Sequence, residues 1–349
     1  MGSASEQPNL VALFGVQQNT PRLEEQIKLY NKIGYVIDDG FQLADGEQLP
    51  DAWFSARGVK RGDLDKFVAM KLPGDAYMHV FFYSWKNLIT KNQWPAPFNL
   101  IGSRGMTFLF DDVEKELARI KKDFPETKVL QEPYKVRRKW GVTTQALIID
   151  PEDLWVELIS IDQNPFEKLA RPPNGNEISL LHFQVNCRNF EKSNNFYKAF
   201  GMTHDTGVNE RHVESAFPDG FDVFKKQMKD AFNFIIEDKI LDVGFLRNPR
   251  DPSLMHLELL ETIDNGRLLK DPGLDPTWSQ KGICRYCHKT PDYFKSLDDM
   301  KKLGCPIYVE CQKMGLNWGD TVWFYFGDRD GNLICLEEWK HCRFFGGRY

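Results

Sequence analysis

No apolar stretch in the 349 residues approaches the roughly 20 needed to span a bilayer, so no membrane partner is expected. Behind Met1 there is no basic region followed by an apolar core, and no secretory signal is expected. No Gly-x-Gly-x-x-Gly follows a strand-like segment and no Gly-Lys-Ser/Thr phosphate loop occurs, which leaves nucleotide binding without support. Lys plus Arg number 45 against 50 Asp plus Glu, a net charge of -5 with no long basic run, so nucleic acid is not an expected partner. Cysteine is sparse and odd in number. Seven thiols cannot all pair within one chain, and they fit a reducing, cytoplasmic setting. Aromatic residues, by contrast, are plentiful at 13 %, with 26 Phe and nine Trp, which suggests ring-lined interiors and a pocket for an organic ligand.

The length suits two domains, and self-similarity divides it further. Phe67–Phe82 and Val243–Leu260 each read as a strand, a Pro/Gly/Asp turn and a second strand carrying Met-His. Ala146–Ile159 and Trp323–Glu337 read as hairpins with acidic and glycine turns. A strand and an amphipathic helix precede each hairpin. The helices show apolar stripes at Leu23/Ile27/Tyr30/Ile33, Val113/Leu117/Ile120, Phe196/Tyr197/Phe200 and Tyr293/Leu297/Met300/Leu303, three of them ending near Gly34, Gly201 and Gly304. A βαβββ unit therefore recurs four times, at about 8–85, 103–162, 178–262 and 280–340. The Pro- and Asn-rich segment 163–177 reads as a linker between an N-terminal domain, 8–162, and a C-terminal domain, 178–340, of two units each. One helix for several strands, with antiparallel closing hairpins, opposes a doubly wound parallel sheet and gives an α+β class.

Leu181–Met202, with a His on its strand and Phe-Tyr before a Gly, resembles the opening strand and helix of the vicinal oxygen chelate superfamily. Asp328-Arg-Asp-Gly-Asn-Leu-Ile-Cys-Leu-Glu resembles its closing hairpin. That superfamily includes glyoxalase I, extradiol dioxygenases and bleomycin-resistance proteins. The resemblance implies four modules pairing into two half-open mixed β-barrels with helices outside. It also implies a divalent metal held by ligands from the first and last strand of each unit.

Carried over residue by residue, the first-strand ligand position falls at His182 in unit three, near Gly105 in unit two, at Arg285 in unit four and near Phe14 or Gly15 in unit one. The last-strand position falls at Glu258, Glu157, Cys335 and Phe81 of units three, two, four and one. Were units two and three to pair, one cavity would collect Glu157, His182 and Glu258, with a ligand missing at Gly105. Were units to pair as one with two and three with four, His182 and Glu258 would be joined by His256, two residues from Glu258 on the same strand face. That second set is of the two-His-one-carboxylate kind that binds Fe(II). His256 has a counterpart in His79, beside Phe81, which favours a structural role for this position. Arg285 cannot bind a metal but could hold a substrate carboxylate or form an ion pair.

The leading expectation is an enzyme that uses a divalent metal (Zn, Ni, Mn or Fe(II)) to stabilise an enolate or enediolate of a small organic substrate, an aromatic one included. It would be a lyase or isomerase with Glu157 or Glu258 moving the proton. An Fe(II) ring-cleaving dioxygenase and a metal-free binder of a hydrophobic aromatic compound are the alternatives, and either a monomer or a homodimer is compatible. Cys284-Arg-Tyr-Cys287-His288 matches a haem-attachment pattern, yet residues three apart on a strand point to opposite faces, so these read as free thiols in a core strand. The basic run Lys135–Lys139 reads as a solvated loop.

Overall fold

A computed structural model describes residues 12–41, 51–55, 59–73, 79–88, 101–138, 141–162, 179–204, 221–232, 242–249, 251, 255–261, 281–316 and 319–339. The linker expected at 163–177 and Cys342 lie outside them. The four repeated units are present. Unit one runs β1 (Ala12–Asn19), α1 (Leu23–Ile33), β2 (Val36–Ile37), α2 (Asp51–Ser55), β3 (Leu64–Lys71) and β4 (His79–Trp85). Unit two is β5 (Gly102–Leu109), α3 (Val113–Asp123), β6 (Lys128–Arg138), β7 (Gly141–Ile149) and β8 (Trp155–Asp162). Unit three is β9 (Ser179–Asn186), α4 (Phe190–Ala199), β10 (Thr203–His204), α5 (Phe221–Phe232), β11 (Asp242–Arg247) and β12 (His256–Glu261). Unit four is β13 (Gly282–Lys289), α6 (Tyr293–Lys302), β14 (Ile307–Leu316), β15 (Gly319–Gly327) and β16 (Leu333–Trp339).

The helix ends follow from local chemistry. Asp112, Asn189 and Asp292 cap α3, α4 and α6, their carboxylate or amide oxygens accepting from the backbone N–H three residues on at 2.9–3.0 Å. Gly34, Gly201 and Gly304 follow the helices at φ 125°, 102° and 73°, the left-handed region that lets the chain turn back into a strand.

The strands assemble into two open eight-stranded mixed sheets, ordered β14-β15-β16-β13-β1-β4-β3-β2 (sheet one) and β10-β11-β12-β9-β5-β8-β7-β6 (sheet two). Opening strands of two units meet antiparallel at each centre, β1 with β13 and β5 with β9, and each lies parallel to the last strand of its own unit. Sheet one therefore joins units one and four, and sheet two joins units two and three. The two halves divided at 163–177 do not coincide with the sheets, since each sheet draws one unit from either half. Lys135–Arg138 belong to the edge strand β6 rather than to a loop.

Units adjacent in sequence meet through polar latches instead of strand pairing. At the tip of the β7–β8 hairpin, Glu152 accepts from the Thr20 hydroxyl at 2.8 Å and from Arg22 at 3.2 Å, and Asp150 accepts from Gln26 at 3.1 Å. At the β15–β16 hairpin, Asp328 accepts from the Tyr197 hydroxyl at 2.6 Å and Asp330 from the Ser193 hydroxyl at 2.8 Å. Each latch thus fastens a hairpin of one sheet to a helix, or its lead-in, on the other. Burial pushes the carboxyl of Asp150 up to about 7 and that of Asp328 up to about 6, against the hydrogen bonds that both accept.

One hydrophobic core serves both sheets. Val16, Val80, Met106, Phe108, Val156, Leu158, Phe183, Val185, Leu257 and Leu259 face it together with the apolar stripes of α1, α3, α4 and α6. Phe183 and Tyr286 touch across it, ring centroids 5.5 Å apart, so β9 and β13 lie back to back. With period-two alternation, the residues between these apolar positions point away from the helices, and that opposite face carries the chemistry.

Candidate metal centre

On sheet two the alternation puts Gly105 and Thr107 of β5, Trp155 and Glu157 of β8, His182 and Gln184 of β9, and His256 and Glu258 of β12 on the face away from the helices. Their core-facing neighbours Met106, Val156, Phe183 and Leu257 are all buried in the shared core. The register then sets who meets whom. Thr107 lies opposite His182 and Gly105 opposite Gln184 across the central pair, while Glu157 pairs with Thr107 and Glu258 with Gln184.

His182 is 4 % exposed. Its Nε2 lies 3.1 Å from Oε2 of Glu258 and 3.8 Å from Oε2 of Glu157, so the two expected carboxylates and the expected imidazole come together. Neither ring nitrogen of His182 has a hydrogen-bond partner among the described residues. A buried imidazole in that condition is costly unless something else engages it. Glu157 is pinned: the Thr107 hydroxyl donates to its Oε2 at 2.7 Å and the Gln184 amide at 3.3 Å, Gln184 also donating to Thr107 at 3.3 Å.

Bonds of about 2.0–2.2 Å from nitrogen and oxygen donors to one ion put neighbouring donors roughly 3 Å apart. Glu258 already stands at such a spacing from His182, and Glu157 stands beyond it. Among the described residues no group of three or more His, Cys, Asp and Glu side chains forms a finished ion cage. The donor set itself, one imidazole and two carboxylates, is of the kind that divalent Zn, Ni, Mn or Fe accepts.

Gly105, where a fourth ligand was sought, has a steric reason to be glycine. A Cβ there would lie 2.1 Å from the carbonyl oxygen of Trp155 and 2.8 Å from its carbonyl carbon, in the backbone of the paired strand. Gly15 is its counterpart in unit one, by register opposite His79, and a Cβ there would meet Phe81 at 2.6 Å. Of the two positions left open for unit one, the register selects Gly15.

His256 lies beside His182 in the parallel register, and both rings contact Phe245, with centroids 6.2 and 5.3 Å away. His79, its analogue in sheet one, is held by Asp38 at 2.7 Å, an arrangement that fixes a buried strand rather than a ligand. Arg285 is not brought to this site. It sits in sheet one, 7 % exposed, donating to the Tyr325 hydroxyl with its guanidinium carbon 5.0 Å from the centre of that ring. Thr107 and Gln184 did not stand out in the sequence, although each lies two residues from a ligand position and so had to share its face.

No family model and no curated protein matches the sequence. Glyoxalase I from Zea mays shares the structure at a TM-score of 0.57 and 19 % identity, covering 94 % of this chain and 92 % of its own. A candidate dioxygenase from Bacillus subtilis shares it at a TM-score of 0.54 and 9 % identity, over 96 % of this chain and 87 % of its own. At these identities the likeness concerns the path of the backbone. It covers all four units. The chain carries a glyoxalase-like fold.

Proposed function

We propose that sheet two holds the active site of a metal-assisted lyase or isomerase acting on a small organic substrate with adjacent oxygens. The observation that carries this reading is the approach of two carboxylates to 3.1 and 3.8 Å of one imidazole nitrogen, on a buried His182 whose ring nitrogens make no hydrogen bond among the described residues. His182, Glu258 and Glu157 would hold a divalent cation, which when bound supplies Lewis acidity to an enolate or enediolate. Glu157, fixed by Thr107 and Gln184, stays in place as a ligand. Glu258, facing the imidazole, is the carboxylate suited to take the proton from carbon beside the carbonyl and to return it. Phe245, whose ring contacts both His182 and His256, furnishes apolar surface beside these groups.

The test is elemental analysis of the natively purified protein. Wild type should carry stoichiometric divalent metal and His182→Ala should lose most of it. Equal metal in both would refute the assignment. A second reading has its own observation, the in-register neighbours His182 and His256 beside Glu258, which suits Fe(II) and oxygen chemistry. Oxygen uptake by iron-loaded protein, lost in His256→Ala, would select it over the first.

A further inference from the structure

Sheet one repeats the geometry of the sheet-two centre with different side chains. Gln17 lies opposite Arg285 as Thr107 lies opposite His182, and Gly15 lies opposite Cys287 as Gly105 lies opposite Gln184. Cys335 is the parallel partner of Cys287 as Glu258 is that of Gln184. Arg285 therefore occupies the place of His182, and two thiols occupy the places of an amide and a carboxylate. Cys287 and Cys335 are each 1 % exposed and neither is in a disulfide. They stand side by side on adjacent parallel strands and lie in one cluster with Phe14, Phe81, Tyr325 and Trp339. Arg285 lies two residues before Cys287 on the same strand, and its guanidinium carbon is 5.0 Å from the centre of the Tyr325 ring, the residue paired with Cys335.

We propose that Cys287 and Cys335 form a second metal site, distinct from the His/carboxylate centre, that takes the soft monovalent cation Cu(I) between two thiolates. Softness is the first reason, because thiolate sulfur selects Cu(I) over the harder divalent ions suited to imidazole and carboxylate. Coordination number is the second. Among the described residues no third Cys, His, Asp or Glu completes a group here, and two donors suffice for a linear Cu(I) but not for tetrahedral zinc. Cys311 shares the cluster but lies on β14, two strands from Cys335 and three from Cys287.

Register is the third reason. Cys287 and Cys335 are direct partners on adjacent parallel strands, so their side chains leave the same face of the sheet side by side. Charge is the fourth. Two thiols and Cu(I) give a bis-thiolate cuprate of charge minus one and release two protons, with no change of oxidation state. The neighbouring guanidinium supplies the matching positive charge, and the surrounding rings keep out water.

The experiment uses the full chain, expressed in copper-supplemented cells and purified anaerobically, with copper read by elemental analysis and by the ultraviolet thiolate-to-copper absorption. About one copper per chain is expected in wild type, in Cys311→Ser and in His182→Ala, with at least a tenfold loss in Cys287→Ser/Cys335→Ser. Should the double variant fail to fold, by circular dichroism, each single variant gives the same reading. Arg285→Met should surrender its copper to a lower concentration of bathocuproine disulfonate than wild type does. Wild type without copper, or copper undiminished by the serine substitutions, would overturn the proposal.

Discussion

Replacing Gly105 by alanine asks whether the missing fourth ligand is a matter of choice or of space. The added Cβ would sit 2.1 Å from the Trp155 carbonyl oxygen and 2.8 Å from both the carbonyl carbon and Cβ of that residue. Ordinary contacts begin near 3.4 Å, so the overlap exceeds 1 Å. The obstacle is backbone, and no rotamer relieves it. Either β5 or β8 must shift, and the parallel register Gly105↔Trp155 is the one that places Thr107 against Glu157. Forcing a methyl into a packed core costs about 1–3 kcal/mol, and a buried ladder hydrogen bond broken by the shift adds roughly 1–3 kcal/mol. The sum, about 2–6 kcal/mol, is a large part of a typical domain stability of about 5–15 kcal/mol. Urea denaturation followed by tryptophan fluorescence measures it. Gly62→Ala is the control, because a Cβ there meets nothing within 4 Å, and it should change stability by less than about 0.5 kcal/mol. A Gly105→Ala protein within about 1 kcal/mol of wild type would show that the sheet yields at this point, and the steric account would fail.

Further outcomes follow from the same contacts. Thr107→Val removes the hydroxyl that donates to Glu157 at 2.7 Å while keeping the shape, and metal affinity by competition titration should fall about 10–100-fold. Tyr197→Phe deletes the 2.6 Å bond to Asp328 at one latch and should cost about 1.5–3 kcal/mol in chemical denaturation. The other latch should be pH-dependent. Burial raises Asp150 to about 7, above an unfolded aspartate near 3.9, so the folded form holds the extra proton. Its contribution is complete below about pH 4 and lost as pH rises through 7. The stability of wild type relative to Asp150→Asn should therefore decline between pH 5 and 8, by at most about 1.4 kcal/mol per pH unit, and a flat difference would contradict the burial of a protonated carboxyl.

Much of this was legible in the chain because burial writes a period. The stripes Leu23/Ile27/Tyr30/Ile33 and Val113/Leu117/Ile120 fall in α1 and α3, and Gly34, Gly201 and Gly304 take the left-handed turns that end three of the helices. The alternation of β12 was enough to set His256 and Glu258 on one face, and the register with β9 adds His182 to it. What the period cannot express is which strand edge a unit will seek. An opening strand such as β5 has the same apolar and polar faces whether β9 or a strand of unit one lies beside it, so the partnership had to come from the structure. The helix Phe221–Phe232 lies in a segment without a recognisable motif, and α2 is a single short turn. Gly105 read as an absent ligand, since a sequence does not reveal that a carbonyl occupies the space a side chain would need.

The interleaving of units across the two sheets alters what it means to cut this chain. A break within 163–177 would leave one fragment owning β1–β8 and another owning β9–β16, yet each sheet has its centre built from one strand of either fragment. Neither fragment could satisfy its own middle edge. The pieces would behave as obligate mates, held by two antiparallel seams and one shared core, while each latch stays inside its own piece. Viewed so, the molecule is a clasp of two hands rather than two beads on a thread.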